Sequence, residues 1–162
     1  MVNVFADDWD DERSRPGYVW KRAHVGRRLG GELLGASLFE LEPGQRSFPY
    51  HFQYANEELL VVVSGRPTLR HPGGERDLEP GDVVAFPRGS AGAHQLVNRS
   101  DGPCRFLIVS TMIGPEISVY PDSGKIGVFD EAPAPGPDDH RELRAFLPLD
   151  AEVDYFEGED GP

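Results

Sequence analysis

Between Glu32 and Met112 the chain alternates short apolar runs with turn-forming clusters. The runs are ELLGASLFEL (32–41), ELLVVVS (58–64), DVVAFP (82–87), HQLVN (94–98) and CRFLIVSTM (104–112). Each has the length of a strand and is rich in β-branched or aromatic residues. The clusters EPGQ (42–45), HPGGE (71–75), EPGD (79–82), PRGSAG (87–92) and NRSDGP (98–103) separate them. This spacing predicts an all-β, antiparallel fold, a sandwich or small barrel, with few helices. Within it, RPTLRHPGGERDL (66–78) reads as a hairpin whose Pro-Gly-Gly supplies the turn, with Pro67 suited to a strand start or an edge.

The run at Leu59 to Val63 is apolar enough to be covered on both faces, yet His51, Gln53, Glu57 and Glu58 lead straight into it. Polar groups at the mouth of a core need partners. A bound metal ion is one such partner. If Glu58 faces a cavity, strand alternation turns Leu60 and Val62 inward and Leu59, Val61 and Val63 outward. Three outward apolar residues need a cover. Either the chain's own N-terminal YVW (18–20) supplies it, or the same surface of a second subunit does, and a homodimer is the expectation.

A chain of 162 residues suits one domain with a real core. It divides by composition into an N-terminal segment (1–31, acidic then basic, with room for an extra strand), a body (32–129) and a C-terminal part (130–162). The Pro-rich acidic linker FDEAPAPGPDD (129–139) leads into the last, which continues in HRELRAFL (140–147), predicting a short helix, and ends in an acidic tail. No run is long and apolar enough to span a membrane. The opening MVNVFADDWDDE is acidic where a secretory signal would be basic and then apolar, which reads as cytoplasmic.

The net charge of −12 is unevenly spread. Residues 1–12 carry five acids and no Lys or Arg, and residues 130–162 carry eleven acids against two Arg, so the body is near neutral. The tails read as solvated, solubilising segments. Against them, residues 13–31 hold six Lys or Arg and no acid, a stretch able to attract an acidic tail or a phosphate-bearing partner. No DNA-binding helical unit is visible, and nucleic acid is not an expected partner. Cys104, the only cysteine, excludes an intrachain disulfide and a thiolate zinc cluster, and its strand neighbours suggest an inert thiol. Any metal is therefore held by N and O donors.

Of the five histidines, His71 lies in a turn, His140 follows the acidic linker, and His24 sits in the basic stretch with no evident partner. His51 and His94 each begin a strand pattern. Alternation sets His51 with Gln53 on one face, and His94 with Leu96 and Asn98. Two His and one carboxylate from separate strands can converge on a metal of borderline hardness and leave coordination positions open. Structural, hydrogen-bonded histidines are the other reading of the same pair.

GQRSFPYHFQYANEELLVVVSG (44–65) resembles the first cupin motif, G-x(5)-H-x-H-x(3,4)-E-x(6)-G, with His51 at the first histidine and Glu58, six residues before Gly65, at the glutamate. GDVVAFPRGSAGAHQLVN (81–98) resembles the second, with Gly81, Pro87, Gly89, His94 and Asn98 in order and two extra residues before His94. ANEE, AHQLVNRSDGP and YPDSGKIGV extend the resemblance, over much of residues 32–129, to single-domain bacterial cupins of unassigned activity.

The resemblance implies a small antiparallel jelly-roll barrel, one divalent ion (Fe, Mn, Ni or Zn) inside one end, and frequently a dimer. It implies metal ligation by His51, Glu58 and His94. The second histidine of the first motif is Gln53 here, and three readings follow: a fourth ligand through its amide oxygen, a holder of metal-bound water, or a site that has lost its metal. Glu57 is either an orienting neighbour or a solvated corner residue. The implied function is a metal-dependent enzyme acting on a small molecule, of dioxygenase or isomerase type. A non-catalytic binding or sensor module using the same cavity is the alternative.

Overall fold

Strands form where alternation and β-branched residues coincide, and in a computed structural model of the protein thirteen strands are found among the described residues, which are 1–132, 142–159 and 161. In order they are β1 (Asp11–Arg15), β2 (Tyr18–Ala23), β3 (Leu34–Leu41), β4 (Phe52–Gln53), β5 (Glu58–Ser64), β6 (Thr68–His71), β7 (Gly74–Asp77), β8 (Val83–Phe86), β9 (Gln95–Val97), β10 (Cys104–Thr111), β11 (Glu116–Tyr120), β12 (Lys125–Phe129) and β13 (Arg144–Pro148). One helical turn, α1 (Val25–Arg28), follows β2. Among the described residues no helix is long and apolar enough to cross a membrane.

All pairings are antiparallel. A six-stranded sheet has the order β1-β2-β3-β10-β5-β8, and it faces a four-stranded sheet (β13-β12-β11-β4) and a three-stranded one (β7-β6-β9). The result is a cupin-like sandwich rather than one continuous ring of paired strands. Its main core draws Trp20, Phe39, Leu41, Leu60, Val62 and Phe106 from the large sheet and Leu69 and Leu96 from the small one. Phe39 stacks on Phe106 at 5.4 Å, with Trp20 edge-on to Phe39.

Parity within β5 follows the expectation. Leu60 and Val62 are buried at 0% and 2% exposure, and Leu59 is 40% exposed on the opposite face. The chain's own N-terminal segment reaches the far end of that outer face, but not through the YVW run. Val63 and Leu107 gather around Ala23, Val25 and Leu38 together with Val2, Val4 and Trp9, whereas Trp20 points into the core.

The 66–78 hairpin is β6–β7, turning at Pro72 and Gly73, with Gly74 at φ 123° opening β7, which lies at the sheet edge. The helix expected over 140–147 is not what the described part of that range forms: Arg144–Pro148 is β13, an edge strand on β12. Pairing with an available sheet edge overrides the weak helical preference of a short segment. His140 and Arg141 lie outside the described residues.

The acidic N-terminus, though largely exposed, is tied to the body by ion pairs. Arg28 takes Asp8 and Asp10, Arg22 takes Asp11, and Arg105 takes Asp7. His24, without an evident partner in sequence, is buried with Nε2 2.7 Å from Asp11.

Candidate metal centre

The site begins with a backbone bridge. His51 and His94 lie directly opposite each other, exchanging N–H···O bonds of 3.2 and 2.9 Å, so their rings must rise from the same face. The loop lengthened by two residues before His94 contains a 3-10 turn, Ser90–Gly92, that folds tightly against Pro87. A Cβ on Gly92 would stand 1.8 Å from the Pro87 carbonyl oxygen, so only glycine fits. That turn delivers the Gly92 carbonyl to His94 Nδ1 at 2.9 Å, and the Pro49 carbonyl meets His51 Nδ1 at 3.0 Å. A carbonyl can only accept, so Nδ1 donates in both rings and Nε2 of each is left for the cavity.

Glu58 opens β5 on the same cavity. The corner between β4 and β5 is held by a buried carboxylate absent from the sequence reading: Glu116 accepts from the Tyr54 and Ala55 amides and from Asn56 Nδ2. Glu58 Oε1 accepts from Ser110 Oγ at 2.6 Å. Ser110 faces inward because it pairs with Gly35 and Glu58 across β10, a position legible only once the sheet order is known.

One ligand atom each from His51, Glu58 and His94 lies within 4.8 Å of the other two. Glu58 Oε2 is 3.3 Å from His94 Nε2 but off hydrogen-bonding geometry, so Nε2 is buried without a hydrogen bond. Gln53 Oε1 is also buried and unpartnered, and Gln53 lines the same cavity as His51 and Glu58. Buried polar atoms rarely go unpaired. His94 Nε2, beside a carboxylate and a second imidazole nitrogen, fits a divalent cation with N and O donors, and Gln53 lies on the wall of the adjoining cavity. Glu57, in contrast, is exposed, with its amide on Thr111 Oγ1.

Burial, reinforced by repulsion from His94, pushes the His51 imidazole down to about 4, which leaves it neutral near pH 7. For Glu58, burial pushes the carboxyl up, but the nearby His94 and His51 and the Ser110 hydroxyl outweigh it and hold it at about 2. Aromatic rings enclose the site: Phe86 stacks on His94 at 3.7 Å, Phe48 stands edge-on to both imidazoles, and Tyr120 stacks on His51. The adjoining cavity, about 260 Å³, is walled further by Ile108, Phe129 and Phe146. Cys104 takes no part. It is fully buried in the core, and burial pushes its thiol up to about 12.

The family model for the cupin domain matches residues 37–110. A sugar phosphate isomerase of the cupin superfamily from Silicibacter pomeroyi is 33% identical, over 82% of this chain and 78% of that one, with a TM-score of 0.70. This chain belongs to the cupin superfamily. A putative sugar phosphate isomerase from Acidithiobacillus ferrooxidans is 30% identical, over 70% of this chain and 72% of that one (TM-score 0.66). A polyketide cyclase from Streptomyces resistomycificus is 28% identical, over 68% and 79% (TM-score 0.56). No curated protein sequence matches the chain.

Within the cupin frame the other motif positions have structural work. Gly65 sits at φ 72° against Cys104, and Asn98 Nδ2 bonds the Leu41 and Gly102 carbonyls to close the loop before β10.

Proposed function

We propose that this cupin is a metal-dependent enzyme of isomerase type acting on a small molecule that chelates through neighbouring oxygens. His51, Glu58 and His94 would hold one divalent ion, and Gln53 would add its amide oxygen or fix a bound water. The observation that carries this is the pair of buried, unpartnered atoms, Gln53 Oε1 and His94 Nε2, beside two further free donors. When bound, the ion supplies a Lewis acid that polarises a carbonyl or hydroxyl oxygen. The chain's aromatic residues exclude water, and Ser110 orients the Glu58 carboxylate.

Isomerisation is favoured over dioxygenation because two relatives at 30% identity or above are a sugar phosphate isomerase and a putative one. We also read the outer face of β5 and β8, where Leu59 and Val83 are 40% and 58% exposed, as the surface that joins two copies into a homodimer.

The test is elemental analysis of purified wild type and His94→Ala, followed by NMR of aldose and ketose substrates and by oxygen uptake. The proposal expects about one divalent ion per wild-type chain, most of it lost in the variant together with turnover. Equal metal content in the two proteins refutes the site. Oxygen consumption without isomerisation refutes the reaction class. Ligand-induced thermal stabilisation without turnover would make the protein a binding module.

A further inference from the structure

A second cavity, about 470 Å³, adjoins the first and shares Arg22, Phe39, Phe48, Pro49 and Tyr120 with it. Its lining is cationic. Arg13, Arg15, Arg22 and Lys125 face it, with Asp122 as the one carboxylate. The register of the first hairpin explains how a basic stretch comes to line a cavity: Arg13 pairs with Trp20, Arg15 with Tyr18 and Asp11 with Arg22. Trp20 is in the core, so its whole row, Arg13 and Arg15 included, stands on the concave face.

Some of these charges are already matched. Asp122 receives two hydrogen bonds from Arg70, at 2.6 and 2.8 Å, and Arg22 is held by Asp11. Lys21 and Arg28 of the same basic stretch are bound to Glu40 and to Asp8 and Asp10. Among the described residues Arg13, Arg15 and Lys125 have no carboxylate partner. The Arg13 guanidinium instead lies 5.2 Å from the Trp20 ring centre and the Lys125 ammonium 5.2 Å from that of Tyr120. In a chain of net charge −12, three unmatched cations gathered around one cavity repel one another until an anion fills it. Two guanidinium forks and an ammonium suit a dianion with three acceptor oxygens better than a monocarboxylate, which one arginine satisfies.

We infer that this second cavity binds the phosphate of a phosphomonoester substrate, whose hydroxyl- or carbonyl-bearing end reaches the metal side across the shared wall. The phosphate half stands on the cationic lining alone; the bridging half rests on the metal-centre reading proposed above.

Calorimetric titration with inorganic phosphate and with ribose 5-phosphate tests both halves, on metal-loaded and on chelator-stripped protein. Phosphate should bind saturably to both forms, and Arg13→Gln/Arg15→Gln should weaken it by about tenfold or more, since charge-assisted bonds are lost. Both side chains are exposed and make no hydrogen bond, and Arg13 loses only its contact with the Trp20 ring, so metal content should stay at the wild-type value and the melting temperature within a few degrees of it. Lys125→Gln should weaken phosphate a few-fold. Ribose 5-phosphate should bind more tightly than phosphate to the loaded protein and equally to the stripped protein or His94→Ala. Absence of saturable phosphate binding, or unchanged affinity in the double arginine variant, overturns the anion site. Ribose 5-phosphate binding no tighter than phosphate to loaded protein overturns the bridge. A wild type that takes up no metal but binds phosphate refutes the metal reading and leaves the anion site standing.

Discussion

Gln53→Leu separates a metal-facing amide from a structural one, because the two roles predict opposite signs. Gln53 is 6% exposed and its Oε1 has no partner, so without metal the folded protein carries a desolvated acceptor. Such an atom costs about 1–3 kcal/mol. Leucine retains most of the volume and has no donor or acceptor, and the cavity that residue 53 lines also carries Ile108 and Phe129. Metal-free Gln53→Leu should therefore be more stable than metal-free wild type by about 1–2 kcal/mol after allowing for imperfect packing. For a chain of this size that is a rise in melting temperature of roughly 2–8 °C. Metal affinity should move the other way, falling by about tenfold if the amide oxygen, or a water it holds, is part of the coordination set. Differential scanning calorimetry in chelator gives the first quantity, and competition against a coloured chelator gives the second. A variant that is less stable without metal and binds metal as tightly as wild type would refute the reasoning, since Gln53 would then serve packing alone.

Acid should destabilise the metal-free protein in a defined window. The His51 imidazole lies at about 4 in the folded chain against 6.5 when unfolded, so its contribution is full above pH 6.5 and disappears as pH falls to about 4. The loss is on the order of 3 kcal/mol. Glu58, depressed from 4.5 to about 2, adds a loss of the same sign below that window. His51→Gln should flatten the denaturation midpoint between pH 6.5 and 4, and parallel profiles for the two proteins would contradict the assignment. On assembly, light scattering should give a dimer mass for wild type and a monomer for Val61→Glu, which places a charge on the outer face of β5; a wild-type monomer at tens of micromolar, a concentration at which a micromolar dimer is populated, rejects the dimer.

Much of the architecture was readable from local pattern. Strand alternation and turn residues located β3, β5, β8, β9 and β10 within two residues at each end, because period-2 burial and positive-φ glycines are properties of short segments. Parity alone put Glu58, Leu60 and Val62 on one face. What tertiary structure decided was how distant segments meet. The His51–His94 bridge joins residues 43 apart in sequence, and no local signal announces it. Ser110 and Glu116 read as ordinary strand residues until the sheet order sets one against Glu58 and the other under the Asn56 corner. The helix expected over 140–147 gave way to β13 because an open edge on β12 outweighs the propensity of eight residues. The acidic N-terminus, solvated by composition, is tied down because the β1–β2 hairpin and α1 bring Arg22 and Arg28 within reach of Asp8, Asp10 and Asp11. Charge in a sequence is a sum, whereas in a fold it is a set of distances, and only the distances leave Arg13 and Arg15 unmatched.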